Sequence, residues 1–121
     1  MNREAITIEN GVVSVPAPAE IWMTQHQLAD LFQCFVAKIS VNVRAILKTG
    51  VLDDRTVCRT YQYKNGNSVE QYNLEMITAL AFRIRSHNAD RFREWITEKA
   101  MANSVRTPIL VFKDWNNMVL N

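Results

Sequence analysis

Between Thr24 and Leu47 the apolar residues recur with helical spacing in two blocks, and this pattern constrains the fold more than any other stretch. Leu28, Ala29 and Phe32 give one apolar face, and Val36, Ile39, Val43, Ile46 and Leu47 give a second at three- and four-residue intervals. Two such faces three residues apart indicate a helix-turn-helix over residues 24–49. Thr24 with Gln27 supplies a capping-box pair at its start, and Lys48-Thr49-Gly50 supplies a basic last turn and a terminating glycine at its end.

The flanking chain reads as short strands and two more helices. Residues 5–9 alternate like a half-buried strand, Asn10-Gly11 is a hairpin signal, and Val12 to Val15 is a β-branched return that ends at Pro16. Pro16-Ala17-Pro18 then interrupts regular structure and delivers Ile21-Trp22-Met23 as an apolar entry to the first helix. After Asp53-Asp54, Val57 to Tyr63 is rich in β-branched and aromatic residues, Asn65-Gly66 is a second hairpin signal, and Val69 to Tyr72 returns. A hairpin over 57–72 directly after a helix-turn-helix is the layout of a winged helix.

Asn73 caps an expected helix over about 73–85, whose Leu74, Met76, Ile77, Ala79, Leu80, Ala81, Phe82 and Ile84 are apolar nearly all round and should form the centre of the core. Beyond Ser86-His87-Asn88, a helix over about 89–102 turns Phe92, Trp95, Ile96 and Met101 inward. Pro108 to Phe112 reads as a strand, and the tail over 103–121 has no clear period. The expected fold class is α+β: a winged-helix-like helix-turn-helix with an N-terminal β-hairpin, a wing hairpin and two further helices. A chain of 121 residues that is 48% apolar holds one core, so a single domain over 1–121 is expected.

Charge and cysteine content narrow the function. The 14 Lys and Arg against 12 Asp and Glu are nearly balanced, yet residues 1–33 hold one base, Arg3, against Glu4, Glu9, Glu20 and Asp30, leaving 13 bases and 8 acids in the remainder. Cys34 and Cys58 are too few for a disulfide scaffold and lie among apolar residues, as reduced core thiols of a cytoplasmic protein do. No apolar run approaches the ~18 residues of a membrane span, and Met1-Asn2-Arg3-Glu4 lacks a signal-peptide core, so neither a membrane partner nor export is expected. His26 and His87 lack companions at metal-ligand spacing, and there is no Gly-rich phosphate loop. No enzyme activity, metal or cofactor is expected; a hydrolase would need His87 to converge with acidic and Ser groups in a pocket.

The candidate interface lies on the second helix. At ~3.6 residues per turn, Lys38, Val41, Asn42 and Ala45 fall opposite its apolar face, flanked by Ala37, Arg44 and Lys48. Asn42 suits adenine and Lys38 suits guanine, while Arg44 and Lys48 suit phosphate; in the wing, Arg59 and Lys64 suit phosphate as well. The alternative is that these bases only solvate the surface. Phe35, Val36 and Ala37 stand where many readers place base contacts but offer no hydrogen bonds. Phe35 either packs inward as core or is exposed as part of a protein-docking patch. Arg83, Arg85, Arg91 and Arg93 cluster around the second break, either as an anion or acidic-partner site or in pairs with Glu75, Asp90 and Glu94.

Ile21-Trp22-Met23-Thr24-Gln25-His26-Gln27-Leu28-Ala29-Asp30-Leu31-Phe32, Ile39-Ser40, Gly50-Val51-Leu52-Asp53, Val57-Cys58, and Tyr72 to Ile77 with Arg83, Arg91-Phe92-Arg93 and Trp95, together resemble the N-terminal region of RhuM-type virulence-associated proteins. The resemblance covers about residues 5–100. It implies a helix-turn-helix at this position and a DNA-binding protein of bacterial chromosomes and mobile elements. Members of that family tend to carry Gly at the turn and Ser, Arg and Thr at the start of the second helix, where this chain has Gln33 and then Phe35, Val36, Ala37 and Lys38. The expected function is therefore double-stranded DNA binding in transcription regulation, as a homodimer because one helix reads a half-site. The alternative is a protein–protein interaction module on a degenerate helix-turn-helix scaffold, docking through Phe35, Val36, Ala37 and Val41.

Overall fold

The computed structural model describes residues 5–103. In chain order it contains strands β1 (Thr7–Glu9) and β2 (Val12–Ser14), a 3-10 turn (Pro18–Glu20), strand β3 (Met23–Thr24), helices α1 (Gln25–Phe32), α2 (Val36–Lys48) and α3 (Asp54–Val57), strands β4 (Cys58–Gln62) and β5 (Ser68–Tyr72), and helices α4 (Leu74–Ala81) and α5 (His87–Asn103). The fold is mixed α+β, with five helices and two small antiparallel sheets among the described residues. The expected strand at Pro108 to Phe112 and nearly all of the 103–121 tail lie outside that range, as do residues 1–4 with Arg3 and Glu4.

The first sheet is the N-terminal hairpin, in which Ile8 faces Val13. Asn10 and Gly11 sit at φ 53° and 77°, the left-handed pair that a two-residue hairpin turn requires. The second sheet has the order β3-β5-β4, so the strand that enters α1 pairs with the last strand of the later hairpin. Met23 and Cys58 flank Tyr72 in this register, and Tyr72 is buried at their centre. The Tyr72 hydroxyl accepts a hydrogen bond from Gln25 Nε2 at 2.9 Å, tying β5 to the first turn of α1.

The buried side chains form one cluster, drawn from the N-terminal hairpin, α1, α2, α4, α5 and the three-stranded sheet. Phe32 of α1 packs edge-on against Phe92 of α5 with ring centroids 5.9 Å apart, and Phe92 stacks on Trp95 at 5.6 Å. Met76, Ile77, Leu80 and Ala81 bury the inner face of α4, which touches both α2 and α5. The expectation of burial all round is met on this face only: Leu74 and Ala79 are half-buried, and Phe82, just past the helix end, is 41% exposed.

Local signals position the helix ends. Thr24 Oγ1 accepts from the Gln27 amide at 3.1 Å while Gln27 Oε1 accepts from the Thr24 amide at 2.9 Å, a complete capping box. Asn73 Oδ1 accepts from the Met76 amide at 3.2 Å at the start of α4. Gly50, at φ 76°, terminates α2, where its amide donates to the Leu47 carbonyl.

Three boundaries differ from the sequence expectation, each for a stated reason. α4 stops at Ala81 rather than near residue 85, because the Arg93 guanidinium from α5 donates to the carbonyls of Ala81 at 2.5 Å and Ile84 at 3.0 Å and so satisfies that helix end from outside. α5 begins at His87 rather than Ala89, since Ser86 Oγ accepts from the Ala89 amide and its carbonyl from the Asp90 amide. Strand β4 begins at Cys58 because Val57 closes the short helix α3, capped by Asp53. Met101, expected inward, is 54% exposed.

Only three residues separate α1 from α2, and Gln33 takes the left-handed conformation there (φ 54°, ψ 54°). The Cys34 amide donates to Ala29 O at 3.0 Å and the Gln33 amide to Asp30 O at 3.3 Å, the paired bonds of a Schellman ending. Asn88 Nδ2 donates to Leu31 O at 2.8 Å, so the start of α5 satisfies a further carbonyl of the same helix end. A left-handed residue with a Cβ costs about 1–2 kcal/mol, and glycine removes most of that at some entropic cost. Gln33→Gly should therefore raise stability by about 0.5–1 kcal/mol, seen as a higher urea midpoint with an unchanged m-value; a lower midpoint would show that the Gln33 side chain contributes more than its backbone loses.

Candidate nucleic-acid interface

The turn at Gln33 directs the inner face of α2, with Ile39, Val43 and Ile46 buried, onto the same core as α1. What remains outside is a basic surface. Lys38, Arg44 and Lys48 are all exposed, with Ala37 and Val41 between them. No Asp or Glu occurs between Asp30 and Asp53, so nothing on the helix offsets this charge. Arg44 Nη1 donates to Ser40 Oγ at 2.9 Å, one turn back along the helix, which orients the guanidinium over the outer surface.

Asn42 does not belong to that surface. The sequence spacing places it outward as a reader of adenine, but it is buried, 8% exposed, at the seam between α2 and α4. Its Nδ2 donates to the Lys38 carbonyl at 2.8 Å, and its Oδ1 accepts from Arg83 Nε at 2.8 Å. Both ends of the amide are thereby committed to holding α2 against the chain after α4. Asn42 stands three residues after Ile39 and four before Ile46, at the edge of the apolar arc, so the helical period already admits it to the seam; the arginine that holds it there is 41 positions away.

Phe35 resolves the other way. It precedes the first turn of α2 with no side-chain capping bond and is 86% exposed, the most exposed of the large apolar side chains among the described residues. It is not core. Val36 is partly buried against the core, while Ala37 is exposed beside Lys38. Phe35 and Ala37 thus stand outside and Val36 anchors the helix, so the apolar docking surface expected of Phe35, Val36, Ala37 and Val41 is reduced to three of them, with Val41 54% exposed.

In the hairpin of β4 and β5, the Arg59 guanidinium lies 4.4 Å from the centre of the Trp22 ring and donates to Gln71 Oε1 at 2.8 Å. Arg59, Tyr61 and Tyr63 alternate onto one face, where the two tyrosine rings meet edge to face at 5.2 Å. Lys64 is exposed at the hairpin tip, next to the Tyr63–Asn67 closure.

The four arginines of the second break separate by role. Arg91 pairs with Glu94 at 2.7 Å, and Arg93 pairs with Asp90 while it holds the end of α4. Arg83 is bonded to Asn42, and Arg85 is exposed. With Phe82 and Ile84 they line an open cleft of about 370 Å³ along the Asn42 edge of α2. Arg83 and Arg85 therefore extend the basic surface sideways, whereas Arg91 and Arg93 are structural.

The remaining reactive groups stay apart. Burial pushes the Cys34 thiol up against a smaller opposing pull from Lys38, and burial with the nearby Glu70 and Asp54 carboxylates pushes the Cys58 thiol up as well. Both are free thiols and stay protonated at neutral pH. His87 opens onto a cleft of about 540 Å³ lined by Ile8, Asn10, Gly11, Gln33, Asn88 and Arg91, a set with neither carboxylate nor hydroxyl. Among the described residues no three His, Cys, Asp or Glu side chains are grouped to hold a metal ion, and no helix is long and apolar enough to cross a membrane.

No protein-family model, curated protein or solved structure matches the chain.

The Asn42 bonds yield a direct test. Asn42→Ala removes both hydrogen bonds and the tether to Arg83, and should lower stability by about 1 kcal/mol, measured by urea denaturation. A base-reading Asn42 would instead leave the denaturation midpoint unchanged.

Proposed function

We propose that this chain is a winged-helix-like DNA-binding domain whose α2 lies in the major groove of double-stranded DNA. The observation that carries the reading is the outer surface of α2, with Lys38, Arg44 and Lys48 exposed and no acid from Leu31 to Leu52. Such a surface suits a polyanion.

The topology supports the same reading. A strand leading into two helices joined by a tight turn, followed by a hairpin whose last strand pairs back on the first, gives the order β3-β5-β4. That order supports the winged-helix reading, with the β4–β5 hairpin as the wing. Lys64 at its tip and Arg59 over Trp22 are then placed to meet phosphates flanking the groove. Arg83 and Arg85 provide a second set of phosphate contacts on the Asn42 edge of α2. The resemblance to RhuM-type proteins points the same way, towards a cytoplasmic bacterial transcription regulator of a mobile element. A single α2 covers one half-site, so the active form is a homodimer.

A second reading is favoured by one observation, the exposure of Phe35. On that reading Phe35, Ala37 and Val41 dock another protein and the basic rim only solvates the surface. Because Phe35 is 86% exposed, Phe35→Ser keeps the fold, and loss of a copurifying partner without loss of the fold would favour protein docking.

The DNA reading is tested by titrating a fluorescent duplex pool with the chain at low salt. Micromolar or tighter binding is expected, weakening as salt rises. Lys38→Ala, Arg44→Ala and Lys48→Ala combined should flatten the log–log salt slope by up to about three units, roughly one for each phosphate contact removed. No association with pooled genomic fragments would exclude the proposal.

A further inference from the structure

The base-reading position on α2 holds no amide, because Asn42 is withdrawn into the α2–α4 seam by its bonds to the Lys38 carbonyl and to Arg83. What α2 presents at its N-terminal half is an apolar strip beside Lys38, with an apolar ring at its start. Ala37 lies one turn before Val41, which is 54% exposed, and Phe35, immediately before the helix, is 86% exposed. Lys38 and Arg44 border this strip on either side, and Lys48 continues it towards the C-terminus.

A strip of this kind has a definite preference among base edges. In the major groove, guanine, cytosine and adenine present hydrogen-bonding groups, and thymine adds a C5-methyl group. A cytosine amino group or a guanine oxygen pressed against Phe35 or Val41 would lose its water without gaining a partner. A thymine methyl in the same place loses nothing and buries apolar surface. The basic border, uncompensated by any acid on the helix, favours a phosphate-bearing duplex over an apolar peptide.

We propose that Phe35, Ala37 and Val41 read thymine through its C5-methyl group, so that the site selected by this chain is defined by methyl positions more than by hydrogen-bond patterns. This rests on the DNA-binding reading above. Lys38, at the edge of the strip, retains the capacity to donate to a guanine beside the methyl-reading steps.

The test uses the full chain. Duplexes are selected from a random pool at low salt, and each thymine of the selected site is then replaced by deoxyuridine, which removes only the methyl. Affinity should fall about fourfold for each contacted methyl, and the difference between the two duplexes should vanish in Phe35→Ser with Ala37→Ser and Val41→Ser while salt-dependent binding persists. Equal affinity for the thymine and deoxyuridine duplexes would overturn the methyl reading and leave the DNA reading standing. A gain on converting cytosines to 5-methylcytosine without any loss at deoxyuridine would also overturn it. Failure to recover any duplex would overturn both.

Discussion

The turn between α1 and α2 is the constraint on which the rest of the molecule depends. With only Gln33, Cys34 and Phe35 available, the chain must reverse the sense of its apolar face while leaving no orphaned carbonyl on α1. The left-handed Gln33 allows the Cys34 amide to reach Ala29 O, and Asn88 from α5 occupies Leu31 O. The inner faces of α1 and α2 then meet one core, centred on Phe32, Ile39, Leu80 and Phe92. The same geometry expels Phe35. An apolar ring exposed at the start of α2 is a direct consequence of how tightly the two helices are joined.

From that turn the outer surface follows by subtraction. Burial claims Ile39, Val43 and Ile46, and Arg83 claims Asn42, so α2 offers the solvent an apolar strip with a cationic border. Three of the cations on or around α2 have little competing commitment: Lys38, Lys48 and Arg85 are exposed. Arg93, by contrast, is held by the end of α4 and by Asp90. Counting arginines near Ser86 therefore overstates the charge free to meet a partner. Arg59 is intermediate, stacked on Trp22 but exposed on its outer side.

Features whose cause is local were legible in the sequence. Thr24 with Gln27, Asn73 and Gly50 each act within four residues, and each end they mark lies where the spacing predicts. The α+β class, the two hairpins and the apolar inner face of α4 follow from periodicity in the same way. Features caused by distant partners were not legible. Asn42 is held at the seam by an arginine 41 positions on, although its spacing from Ile39 and Ile46 already sets it at the edge of the buried face, and α4 ends early because Arg93 supplies its cap from the next helix. Of the proposed contacts, Lys38, Val41, Arg44, Lys48, Arg59 and Lys64 are exposed as their spacing predicts, whereas Asn42 is not. In the sequence Arg83 and Arg85 belong only to a general arginine cluster, since their place at the Asn42 edge depends on how α4 docks.

The central claim is that the outer face of α2 meets DNA, and backbone amide shifts recorded by NMR during titration with a short duplex test it most directly. Shifts concentrated at Phe35 to Lys48, with a second group around Arg59 and Lys64 and little change at Thr7 to Ser14, are the predicted result. A duplex that leaves α2 unperturbed, or that moves only the N-terminal hairpin, would contradict it.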